Sequence, residues 1–279
     1  MKHALAASLT LSVLACEPST GGRAVDVTFT VRGASDEVTS DGSVRRFSTF
    51  AGWEVELEEA WVAVGPFVVW ENPPPLASSA PSSAPESKPS SLWDLLVPDA
   101  HAHPGDTHFN GGNAKAEWMG QTLLDALSPE PQRFAAPGVA GPARSVTIHL
   151  EPPRADLQGG ELLSGDHLRA RGTATKDGQS LRFVGGIVLP PEGGRREING
   201  IPVEGDVDED VEVALVVDPA AWFVEVDFSE LSAVEPDADG FRTIPVDGSI
   251  AAAWEIGARS LTSGTASPSA AAASLEVGR

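Results

Sequence analysis

Three of the chain's six histidines fall within eight residues, in Asp99-Ala-His101-Ala-His103-Pro-Gly-Asp106-Thr-His108. Imidazole nitrogen is a preferred ligand of Zn²⁺ and Cu²⁺, and a carboxylate can complete or orient such a shell. Residues i and i+2 of an extended segment share a face, and Pro104 biases His103 toward extended geometry. His101 and His103 therefore project together. Pro104-Gly105 suits the central pair of a type II turn. A reversal there sets His103 opposite Asp106 and His101 opposite His108, with opposed Cβ atoms about 5 Å apart. The spacing thus predicts a transition-metal site, for copper or zinc, built from His101, His103, His108 and Asp106. Type II turns match strand twist poorly, so any hairpin there is short. The alternative is a solvated polar loop in which Ala100, Ala102 and Pro-Gly merely permit a bend.

Other chemistry is sparse. His149 and His167 fall on the polar sides of expected strands, which predicts surface placement; the alternative is that they serve as distant metal ligands. Asp206-Val-Asp208-Glu-Asp210 begins like a calcium loop, but its sixth and twelfth positions hold Val211 and Val217, where such a loop needs Gly and Glu. Asp237-Ala-Asp239-Gly240 has its glycine, but Val246 stands twelfth, so a solvated turn is expected. No G-x-S-x-G elbow, H-E-x-x-H pair or phosphate-binding loop occurs. These absences predict a protein that is not an enzyme. Seven Trp and ten Phe without Tyr are read as core packing.

The elements that must position the histidines read mostly as strands. Val25, Val27, Phe29 and Val31 alternate with polar residues, as do Trp53, Val55 and Leu57. Residues 61–70 are almost wholly apolar and predict one central strand buried on both faces. Residues 72–91, rich in Pro, Ser and Ala, cannot form a packed core and are expected as a disordered loop. Asn113 to Leu127 shows Ala116, Met119, Gly120, Leu123 and Leu127 at helical spacing, which predicts a helix capped by Asn113. Val146, Ile148 and Leu150 predict a strand. Residues 167–175 and 180–189 flank Lys176-Asp177-Gly178-Gln179, a hairpin signal. Val211 to Val217 alternates again, while 222–228 and 241–246 are weaker strands. Ser249 opens a second helix with Ile250, Ala253, Trp254, Gly257, Ala258 and Leu261 in one stripe. The sum predicts a mainly β protein, an antiparallel immunoglobulin-like β-sandwich over 24–262 with two short helices, followed by a flexible tail at 263–279.

The chain carries 19 Lys and Arg against 40 Asp and Glu, a net charge of −21. So acidic a surface repels phosphate, which excludes nucleic acid as a partner. A single cysteine excludes a disulfide framework and any multi-Cys zinc site. That cysteine ends a run with a positive start and an apolar middle, the grammar of a secretory signal at 1–15. Val13-Leu14-Ala15-Cys16 resembles a bacterial lipobox, although a smaller residue is usual where Leu14 stands. The resemblance implies lipidation of Cys16, a tether at 16–23, and a cell-envelope protein held to a membrane by acyl chains. The alternative is a buried N-terminal helix with an incidental thiol.

Two further stretches, Gly52-Trp-Glu-Val-Glu-Leu-Glu-Glu-Ala-Trp-Val-Ala-Val-Gly-Pro66 and Val216-Val-Asp-Pro-Ala-Ala-Trp222-Phe-Val-Glu-Val-Asp-Phe-Ser-Glu-Leu231, resemble secreted β-rich bacterial proteins of the MbnP-like type. Some of these are associated with copper. The resemblance covers about a quarter of the chain, rests on patterning, and implies an envelope β-sandwich without assigning any ligand. Two functions follow as expectations: a lipoprotein that buffers or delivers a metal ion, or a structural or protein-interaction lipoprotein with no metal.

Overall fold

The computed structural model describes residues 22–39, 42–74, 111–191 and 196–259, with backbone alone for 37–39, 42 and 271–277. Fifteen strands appear in chain order among them. They are β1 (Ala24–Gly33), β2 (Glu37–Thr39), β3 (Gly42–Ser48), β4 (Glu54–Val64), β5 (Phe67–Trp70), β6 (Ala114–Trp118), β7 (Thr122–Asp125) and β8 (Gln132–Val139). There follow β9 (Gly141–His149), β10 (Leu168–Lys176), β11 (Gln179–Ile187), β12 (Glu197–Val207), β13 (Val211–Val217), β14 (Arg242–Thr243) and β15 (Ala271–Val277). Two α-helices, α1 (Ala220–Phe223) and α2 (Ser249–Arg259), lie between the last strands.

The strands form two sheets, a β-sandwich dominated by antiparallel pairing. One runs β12-β9-β5-β6-β8-β1-β13-β15, the other β14-β11-β10-β4-β3-β2 with β7 beside β4. The pairs β1–β13 and β11–β14 are parallel. β12 also lies against β15, so the larger sheet curls until its outermost strands meet.

Period-two patterning explains most of this. Val25, Val27, Phe29 and Val31 are buried along β1, and Val211, Val213, Leu215 and Val217 along β13. In β4 the period of two is interrupted. Val55 and Leu57 face the core, the phase then slips, and Ala60, Val62 and Val64 face it next. The slip is a bulge: Arg171 pairs with Glu59 while Gly172 pairs with Leu57. Gly172 closes it, since a Cβ there would lie 2.3 Å from the Glu56 carbonyl oxygen.

The stretch 61–70 is not one strand. β4 ends at Val64, Gly65 takes φ +107°, and Pro66 offers no N–H to continue the ladder. The chain crosses to the other sheet as β5. Residues 113–127 are not helical either, but form β6 and β7. Ring packing overrides the helical spacing: Trp118 stacks on Phe134 (4.2 Å between centroids) and on Phe67 (5.1 Å) from within the sheet. Gly120 lies against that indole, where a Cβ would approach the ring to 2.3 Å, and Met119 is exposed in the turn.

Residues 222–228 likewise form no strand. They lie across α1, and a 3₁₀ helix follows at Phe228–Ala233. Asp218-Pro219 is the entry signal, with the Asp218 carboxylate accepting the Ala220 N–H at 3.0 Å. Of 241–246 only Arg242–Thr243 pairs with β11. α2 forms over Ser249–Arg259, burying Ile250, Trp254, Gly257 and Ala258. Trp222, Phe223, Phe228 and Trp254 close one end of the core, with Phe223 and Trp254 centroids 4.6 Å apart. The tail differs from expectation too. Residues 271–277 form β15, paired along its length with β13.

Candidate functional site

Cys16 and the signal at 1–15 lie outside the described residues, as do His101, His103, Asp106 and His108. What the structure describes is the frame from which residues 75–110 depart and to which they return. β5 and β6 are antiparallel neighbours, with Phe67 opposite Trp118 and Trp70 opposite Ala114. The histidine-bearing segment is therefore an insertion between two paired strands.

Its mouth is clamped. The Asn72 N–H donates to the Gly111 carbonyl (3.0 Å) and the Glu71 N–H to the Asn113 carbonyl (3.2 Å). The Glu71 carboxylate accepts from the Asn113 backbone N–H (3.1 Å) and side-chain amide (2.7 Å), and pairs with Lys115 Nζ at 3.0 Å. The Asn113 backbone bond, with Lys115 behind it, holds the Glu71 carboxyl below its ordinary range. Gly111 lies flat on the Trp70 indole, where a Cβ would meet the ring at 2.3 Å. Gly112 takes φ +75°. Sequence reading assigned Asn113 to a helix cap. It missed the clamp because Glu71 and Asn113 are far apart in the chain.

A polar file crosses the sheet beside this mouth. Trp70 Nε1–H donates to Thr147 Oγ1 (2.9 Å), Thr147 donates to Asn199 Oδ1 (2.9 Å), and Asn199 donates to Glu197 Oε2 (2.7 Å). Glu197 Oε1 lies 3.6 Å from His149 Nδ1. Half-buried His149 thus ends a chain of five side chains drawn from β5, β9 and β12. Alternation put His149 on an outward face but carried no information about which strands would lie beside it.

His167 departs from its expected surface placement. It is buried (1 % exposed), with Nδ1 accepting the Leu189 N–H at 3.3 Å. The neutral ring then carries its proton on Nε2, which has no partner among the described residues. Burial, with Arg196 nearby, pushes its pKa down to about 4.

Several chain ends converge. Val27 of β1 pairs with Val211, and Val211 with Val277. Ala24 pairs with Val139, and Gly141 with Val207. Arg23 pairs with both Asp208 and Glu209 in the β12–β13 turn. A Cβ on Gly141 would meet Lys115 Nζ at 3.4 Å, so the clamped mouth belongs to the same end. The first described residues, the mouth of the insertion and the end of β15 therefore share one end of the larger sheet.

A cleft of about 560 Å³ is lined by Gln121, Gln132, Arg154 and Asp156 among others. Its glutamines bind its own walls: Gln121 spans the Glu151 and Pro152 carbonyls and the Arg154 N–H, and Gln132 holds Thr122 and the Leu123 carbonyl. Asp237 is likewise engaged, accepting the Asp239 and Phe241 N–H groups as a self-contained turn. Among the described residues, no three His, Cys, Asp or Glu side chains are grouped to hold a metal ion. None of the described helices is long and apolar enough to cross a membrane. No protein-family model, no curated protein and no solved structure matches the chain.

Proposed function

We propose that this is a lipid-anchored protein of the bacterial cell envelope that binds a copper or zinc ion through His101, His103 and His108, with Asp106 as an oxygen ligand or as the carboxylate fixing an imidazole tautomer. The observation that carries the reading is the histidine spacing itself, three imidazoles and a carboxylate on either side of Pro104-Gly105. Two structural facts support it. The segment holding these residues begins and ends at a clamped strand pair, so its ordering by a metal asks nothing of the core. That pair also lies at the end of the sheet where the chain arrives from Cys16, within reach of a membrane to which the lipid would fix it.

Neutral imidazole is the ligand, so affinity falls as pH drops through the histidine range. The test is calorimetric titration of the Cys16→Ser chain with Zn²⁺ and Cu²⁺ against a variant carrying His101→Ala, His103→Ala and His108→Ala. The parent is expected to bind one ion and the variant to lose at least tenfold in affinity. Equal heats for the two proteins would overturn the metal reading.

A further inference from the structure

β12 and β13 follow one another through the short turn 208–210, yet they do not pair with each other. β15 lies in the gap, antiparallel to β13 over its whole length, from Val211 opposite Val277 to Val217 opposite Ala271. It touches β12 as well, but without a ladder. β12 is poorly suited to one: Pro202 has no N–H, Gly200 and Gly205 take positive φ, and the strand's register shifts twice. Among the described residues β15 is thus hydrogen-bonded on one side only, the kind of strand that detaches at low cost. Leaving, it would bare the edge of β13, a row of unpaired N–H and C=O groups above the buried Val211, Val213, Leu215 and Val217.

We infer that the edge of β13 is a strand-acceptor site, and that its occupant in trans is the 271–277 segment of a second copy of this chain. The argument is one of complementarity. Any copy's segment fits any copy's site in the same register, so exchange changes no strand contact. The balance is then set by the concentration of copies against the effective concentration that residues 260–270 impose on the chain's own strand.

Register partners provide the test. Ala214 faces Ser274, and Val216 faces Ala272. Ala214→Cys and Ser274→Cys would be made in the Cys16→Ser chain, so that the introduced thiols stand alone, both singly and together. The double variant treated with a short bis-maleimide when dilute should cross-link within one chain. The two single variants mixed at high concentration, then treated, should give a covalent product of doubled mass containing one of each. Val216→Cys with Ala272→Cys repeats the experiment should the first pair disturb folding. An intrachain cross-link without any mixed product would show a filled but closed site and overturn the proposal. Failure of both double variants to cross-link would overturn the acceptor site itself.

Discussion

His167 is the residue whose surroundings most alter its chemistry. Its imidazole is neutral in the fold because burial, and secondarily Arg196, disfavour the cation. The unfolded chain takes up a proton near pH 6.5 while the folded one waits until about pH 4, so between these values the unfolded state binds more protons. Stability from this residue is complete above about pH 6.5 and is lost as pH falls toward 4, a change of about 3 kcal/mol. Asp125 and Asp166 run the other way, since burial raises their pKa and they favour the fold as pH falls through the raised values. The comparison must therefore be between chains differing only at 167. His167→Leu removes the ionisable ring together with an N–H that has no partner among the described residues, and is expected to flatten the fall in urea midpoint between pH 7.5 and 4.5. Parallel curves for the two proteins would sink this assignment.

At the scale of elements, close approach between backbones decides what the sequence leaves open. Gly257 sits within α2, where alanine would ordinarily favour the helix by about 1 kcal/mol. Here a Cβ would lie 2.6 Å from the carbonyl oxygens of both Ala221 and Trp222. Overpacking of this kind costs roughly 1–3 kcal/mol, so the steric term outweighs propensity. Gly257→Ala should lower the thermal midpoint and loosen the Trp222–Trp254 contact, whose centroids stand 6.4 Å apart. Loosening reads as a shift in tryptophan fluorescence. An unchanged or raised midpoint would mean that α1 and α2 yield easily. The same logic governs β4 and β10, where Gly172 lets a bulge form and shifts the phase of an otherwise regular strand.

For the whole molecule, the shared end of the larger sheet gives the lipid reading a geometric consequence. Residues 17–23 span at most about 25 Å when fully extended, so a lipid on Cys16 would hold the Arg23 end, and the insertion mouth with it, close to the bilayer. The net charge of −21 opposes attraction to anionic headgroups, so on the proposed reading retention would fall to the acyl chains alone. Cys16→Ser is therefore expected to move the protein from the membrane to the soluble fraction, or to leave an unprocessed and slower-migrating chain. Unchanged partition together with unchanged mobility would refute the anchor.

The sequence by itself determined the β character, the strands of β1, β9, β10, β11 and β13, and the start of α2. In each, side chains alternate or recur with one period, and that period is a local property that burial on one face preserves. It also holds the spacing of the histidines at 101, 103 and 108, on which the metal proposal rests. Tertiary structure alone decided the rest. Trp118 joined a sheet because Phe67 and Phe134 came to lie beside it, against a helical spacing that was equally regular. His167 was buried because Leu189 and Arg196, distant in the chain, came to lie against its ring, and Glu71 met Asn113 because β5 and β6 paired across the insertion. β15 formed from an Ala- and Ser-rich tail because the edge of β13 offered it a ladder. These outcomes depend on contacts between residues distant in the chain, and local patterning holds no record of which partners will arrive.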